Sequence, residues 1–275
     1  MQTILLQLLA ASLYAALGIW FWRSCVQAPT AGPRQCMSTT ERVLLLAALA
    51  AHGLALQLSI FAGNGMHFGS GLAVSLVVWL AVSFYWIETF YTRLDGLHVM
   101  VLPAGFVASL LPLALPGEHI LANAGSPAFR AHFIIAMLSY SLFTLAALHA
   151  MLMAIAERQL HSGRLTRPFS NLPPLLTMET LLFRLIGIAF VLLTLTLTSG
   201  IVFSESLFGQ AFRLDHKTVF AIVSWLLFGA LLIGRTVWGW RGRVALRWTL
   251  AGFAALVLAY VGSRFVAEVL LGRAG

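Results

Sequence analysis

Residues 130–156 read RAHFIIAMLSYSLFTLAALHAMLMAIA, and beyond Arg130 they contain no Asp, Glu, Lys or Arg. About 20 predominantly apolar residues suffice for a helix to cross a bilayer, so this stretch reads as a membrane span. Comparable runs recur along the chain and predict eight helices, roughly 3–22, 41–61, 69–90, 94–115, 130–156, 178–203, 217–238 and 247–269. The whole chain agrees with that reading. It is 60% hydrophobic and only 9% charged, where an ordinary soluble domain is about 25% charged, and its mean hydropathy is +0.91. The longest connection is roughly 20 residues, so no soluble domain fits between the helices. The expectation is a single all-α integral membrane domain over 1–275, a bundle of about eight transmembrane helices.

Charge sets the expected orientation. The first apolar run has no basic residue before it, and Arg23 follows it directly. That polarity is wrong for a cleaved secretory signal, so the run is expected to be an uncleaved span. Loops and flanks on one side hold Arg23, Arg34, Arg42, Arg93, Arg158, Arg164, Arg167, Arg235, Arg241, Arg243 and Arg247. The other side holds Arg130, Arg213, Lys217, Arg264 and Arg273. Eleven against five predicts a multi-pass bacterial inner-membrane protein with both termini on the outer, periplasmic side. A formal charge of +8, distributed in this way, serves topology and not nucleic-acid binding. Trp20, Trp22, Trp238, Trp240 and Trp248 read as interfacial anchors, and Trp79 and Trp225 as deeper packing residues.

Few polar groups enter the spans, and intramembrane ionisable residues are functional candidates by default. His52 is placed mid-span in the second helix, His98 in the inner part of the fourth and His149 in the inner half of the fifth. Glu88, at the inner end of the third, is expected to pair with Arg93. Pro103 should kink the fourth helix or leave a carbonyl for its neighbours to satisfy. Cys25 and Cys36 share an expected inner loop, where a reducing cytosol disfavours a structural disulfide. The chain lacks H-E-x-x-H, G-x-S-x-G and a phosphate-binding glycine loop, and its nine acids form no intramembrane carboxylate pair. No enzymatic activity is expected.

Four histidines fall on the outer side. His67 and His119 lie in turn-like sequence and read as surface residues. His132 and His216 each begin an apolar run, where rigid backbone can fix a ring. Arg130 precedes the first; Arg213 and Lys217, the sole lysine, flank the second. Neutral imidazole is the usual haem-iron ligand, and neighbouring cations suit haem propionates. A blander explanation stays open, because polar residues collect wherever a helix leaves the membrane. Zinc would lack ligands, since no Cys or carboxylate set accompanies the two histidines.

Three stretches carry a resemblance. One is Ser126-Pro-Ala-Phe-Arg-Ala-His132 with Leu138-Ser-Tyr140 and Phe143. The second runs from Phe208-Gly-Gln-Ala-Phe212-Arg213 through Asp215-His-Lys217 to Trp225, Arg235 and Gly239-Trp-Arg-Gly-Arg243. The third is Gly252-Phe253 with Tyr260-Val-Gly-Ser-Arg264. Over about residues 126–270 the chain resembles the cytochrome c assembly membrane proteins of the CcsA/CcmC type, nearest the YpjD-like or HemX-like branch.

That resemblance implies a haem-handling protein with haem b held near the outer face. His132 and His216 would be the axial ligands, and Arg130, Arg213 and Lys217 would meet the propionates. Phe208 and Phe212 would cover the ring, and His52 would be an intramembrane counterpart. Implied partners are the lipid bilayer, other cytochrome c maturation membrane proteins and an apocytochrome. The chain also departs from the pattern. Phenylalanines replace the tryptophans of the family's outer loop, and His216 stands where assembly members carry proline. Ile233 occupies the position of a late histidine in helix 7, and no second outer histidine follows helix 8. Two other readings therefore remain: a scaffold or regulator that kept the fold without haem, and an ion transporter using His52, His98 and His149 as a relay.

Overall fold

A computed structural model describes residues 1–27, 37–62, 65–91, 96–115, 119–121, 124–161, 174–202, 204 and 216–259. Among them are eight helices: α1 (Gln2–Gln27), α2 (Thr39–Ile60), α3 (Ser70–Tyr91), α4 (His98–Ala114), α5 (Pro127–His161), α6 (Leu175–Val202), α7 (His216–Val237) and α8 (Gly242–Val257). Six, all but α4 and α8, are long and apolar enough to cross a membrane. The protein is an all-helical, polytopic membrane protein, as its hydropathy predicts.

Several helices outrun their expected ends, whereas α4 starts at His98, four residues inside its expected start. α5 begins at Pro127 and runs on to His161, and α1 continues to Gln27. Hydropathy stops counting where charges start, but a helix continues into the interface as long as its residues favour it. Pro127 suits a first helical position because its missing N–H has no intrahelical acceptor there. α8 starts at Gly242, five residues earlier than the apolar pattern implies, because the preceding turn is tight: Gly239 and Gly242 take φ of +65° and +54°. α4 carries Pro103 and Pro112 and remains helical through both.

The helices form two groups of four. α1 packs on α2 and α4, and α3 on α2 and α4; α5 packs on α6 and α8, while α7 joins α6 to α8. The groups meet where α3 lies along α5. Water drives no association inside a bilayer, so close packing and interhelical hydrogen bonds must hold such a bundle. Small residues supply the closeness. A Cβ on Gly252 of α8 would lie 2.9 Å from the Phe228 ring of α7. Phe228 in turn stacks on Phe143 of α5 with centroids 3.9 Å apart, both fully buried. Hydroxyls supply the bonds: Ser139 donates to the Ala189 carbonyl at 3.0 Å and Ser224 to the Gly252 carbonyl at 2.9 Å.

The two ends of the bundle are fastened differently. At the arginine-rich end, buried Glu179 of α6 accepts from Arg235 of α7 and from the Gly242 backbone N–H, with Arg241 Nε 3.7 Å away. Arg235 also lies over the Phe183 ring at 4.5 Å. A Cβ on Gly234 would collide with the Trp240 ring at 2.3 Å, so glycine there lets the turn fold back onto α7. At the opposite end of the molecule, His67–Phe68 (β1) pairs antiparallel with His119–Ile120 (β2). The two histidines read as flexible surface residues thus sit in a short ladder. Its Phe68 is buried and meets Phe133 of α5 edge-on at 5.0 Å.

Candidate functional site

His132 falls in the second turn of α5, not its first, because the helix begins at Pro127. It is half-buried against the last turn of α6. Its Nδ1 lies 2.8 Å from the Ser199 hydroxyl, and a Cβ on Gly200 would come within 3.5 Å of its Cε1. Ser199 has a single hydroxyl hydrogen, which it donates to the Thr196 carbonyl at 3.1 Å. With that hydrogen on Thr196, the Ser199 oxygen accepts from Nδ1–H of His132 and the lone pair of the neutral ring lies on Nε2. This is the arrangement typical of a metal-binding histidine oriented by its other nitrogen.

His216 is the first residue of α7 and is exposed, as is Lys217. Its level in the bundle follows from the α6–α7 register. Trp225 Nε1 donates to Thr194 Oγ1 at 2.9 Å, and Trp225 stacks on Phe190 at 5.7 Å. His216 precedes Trp225 by nine positions in an antiparallel helix; nine positions beyond Thr194 is 203, just past the end of α6 at Val202. Ser199 and Gly200, which hold the His132 ring, lie in that same last turn. Both helix beginnings therefore share one end of the bundle, opposite the Glu179 cluster. No direct His132–His216 contact occurs among the described residues. Arg130 is exposed at this end, and its Nε donates to the Ala124 carbonyl at 2.8 Å. Phe208, Phe212 and Arg213 lie outside the described residues, as do Arg93, Asp215 and Cys36.

The intramembrane histidines are separated. His52 is 1% exposed, with Nε2 2.9 Å from Ser75 Oγ and Nδ1 3.5 Å from the Tyr14 hydroxyl. Both nitrogens thus tie α2 to its neighbours α1 and α3, and iron ligation by His52 would require breaking one of these contacts. Beside it, Trp79 donates to the Leu49 carbonyl at 2.8 Å and lies over Gly53, where a Cβ would stand 2.7 Å from its ring. His98 stacks on Phe21 of α1 at 4.2 Å. His149 is fully buried and faces Glu88 of α3 at 3.8 Å. No described hydrogen bond links one of these three histidines to another.

Sequence reading did not single out Ser199, Gly200 or Glu179. Ser199 and Gly200 close an apolar run in which polar residues read as a fading span. Glu179 is a lone acid in the second turn of a membrane helix, a signal open to reading because uncompensated charge there is costly.

An eight-helix bundle with an oriented imidazole at one membrane end and an arginine-clamped opposite end defines a polytopic membrane protein with a candidate ligand site at its rim. The family model for cytochrome C assembly protein matches residues 11–271, and the chain belongs to that family. The match takes in the first four helices, well beyond the C-terminal half that carries the recognisable motifs. The chain is 35% identical over 175 residues to inner membrane protein YpjD of Escherichia coli strain K12, covering 62% of this chain and 65% of that protein. It is 29% identical over 185 residues to cytochrome c biogenesis protein CcsA of Guillardia theta, covering 60% and 62% respectively. A CcsA of Gloeobacter violaceus is 32% identical over 94 residues, 34% of this chain and 28% of that protein. The matched regions thus span a little under two thirds of the first two relatives. With its apolar helices and this kinship, the protein is a multi-pass inner-membrane protein.

Proposed function

We propose that the protein handles haem in cytochrome c biogenesis, binding haem b at the outer rim without itself catalysing a reaction. The observation that carries this reading is the hydrogen-bonded cluster of Thr196, Ser199 and His132, which orients the ring and, with the Ser199 hydrogen on Thr196, puts the lone pair of neutral His132 on Nε2. The family match and the names of the CcsA relatives make cytochrome c assembly the setting.

Haem, when bound, supplies an iron that takes imidazole nitrogen as a ligand. His132 would offer Nε2, its ring held by Ser199 and by the space that Gly200 leaves, and His216, at the same end of the bundle, would be the second ligand. Arg130 and Lys217 would attract the propionates by charge-assisted hydrogen bonds, with Arg213, Phe208 and Phe212 as the further contacts that the family resemblance implies. Holding haem at a rim suits delivery or protection of cargo, with an apocytochrome or another maturation protein as recipient.

Purified protein titrated with haem should develop a Soret band. The band should be lost in the His132→Ala/His216→Ala double variant and weakened in each single variant. No Soret band in the wild type would leave the second reading, a haem-free scaffold or regulator of assembly. The exposure of His216 favours that alternative.

A further inference from the structure

Between the end of α5 and the start of α8 lies a cleft of about 380 Å³. Its rim carries Arg158 from α5 and Arg243 and Arg247 from α8, against the single carboxylate of Glu157. Arg243 Nε donates to that carboxylate at 2.8 Å. Glu179 of α6, which accepts from the Gly242 N–H at the start of α8, is engaged by Arg235 and Arg241. Two guanidinium charges therefore exceed the local acid. All three arginines are exposed, whereas the floor is apolar: buried Leu246 with half-buried Ala154 and Leu250.

We propose that this cleft binds the headgroup of an anionic glycerophospholipid. Basic pockets between membrane helices at the cytoplasmic interface recognise such headgroups, and this one sits where the helices leave the apolar layer. Charge and floor point to the same ligand. A phosphodiester would answer the excess positive charge, and the acyl chains beneath it would cover Ala154, Leu246 and Leu250. A soluble phosphate would use only the arginines; a zwitterionic lipid would bring a cation against them. The haem proposal concerns the other end of the bundle, so either can fail without the other.

The test uses the full chain in mixed micelles containing equal phosphatidylglycerol and phosphatidylcholine, with retained lipid counted by native mass spectrometry. Phosphatidylglycerol should be retained preferentially. Arg158→Gln/Arg247→Gln should weaken its retention roughly 30-fold, the order expected for two surface arginines at about 1 kcal/mol each, while Arg158→Lys/Arg247→Lys should retain most of it. Ala154→Phe should also weaken retention, by filling the floor with no change of charge. In the unmodified protein, phosphatidylglycerol and not phosphatidylcholine should raise the thermal midpoint, as a ligand of the folded state does. Equal retention of the two lipids would overturn the proposal. So would unchanged retention in both the glutamine and phenylalanine variants, or competition by equimolar inorganic phosphate or haem.

Discussion

Ser199 holds the His132 ring from the neighbouring helix: its hydroxyl lies 2.8 Å from Nδ1 and 3.1 Å from the Thr196 carbonyl. One serine therefore orients the imidazole, and with its hydrogen on Thr196 it places the electron-donating nitrogen of a neutral ring at Nε2.

Ser199→Ala removes that acceptor without touching the ligand. Haem affinity, read from Soret titration, should fall about 10- to 100-fold, the usual cost of losing a partner that orients a metal-binding histidine. Ser199→Thr, which keeps a hydroxyl, should recover most of it. Equal affinity in wild type and Ser199→Ala would separate the serine from ligation.

His52 offers the converse. His52→Leu deprives Ser75 and Tyr14 of a buried partner, so the thermal midpoint in detergent should drop, by an amount corresponding to about 1–3 kcal/mol. The Soret band should persist. Its disappearance in a folded His52→Leu protein would make His52 a ligand.

Glu179 neutralises Arg235 at a site where neither is fully solvated. Glu179→Ala leaves that arginine uncompensated and should destabilise the bundle by about 1–3 kcal/mol, less than for a wholly buried pair because Arg235 is one-fifth exposed. Thermal unfolding in detergent measures it. An unchanged midpoint would mean that solvent already screens the pair.

Gly252 and Gly229 provide a matched steric comparison. Alanine at 252 would press on Phe228 at 2.9 Å, and Phe228 is backed by Phe143; the expected loss is about 1–3 kcal/mol. Alanine at 229 meets Phe190 at 3.4 Å and should be tolerated. The two midpoints, measured side by side, should differ clearly.

The span pattern was legible because hydropathy reports directly on bilayer crossing: all eight helices were expected, with errors confined to their ends. The largest of those errors arose where a helix outruns the apolar layer, as α5 does through Glu157 and Arg158. The ladder of His67 and His119 was not legible, since two-residue strands leave no periodic trace and their partners are about fifty positions apart. Glu88 shows the same limit from another side: its contact with His149, from a helix sixty residues on, leaves no trace in sequence, while its expected partner Arg93 lies outside the described residues. His132 could be chosen from its position and company. The serine that orients it could not, because nothing in a sequence links position 132 to position 199 until α5 and α6 are side by side.

The β1–β2 ladder gives the first four helices a mechanical handle on the second four. Phe68 bears on Phe133, the residue directly after His132, and Phe133 stacks on Phe129 one turn back. Force applied to the ladder from outside, as by a protein docking over it, is delivered to the turn of α5 that carries the imidazole. On the proposed haem site, a contact made at the ladder would reach the ligand-bearing turn from a surface that never touches the haem.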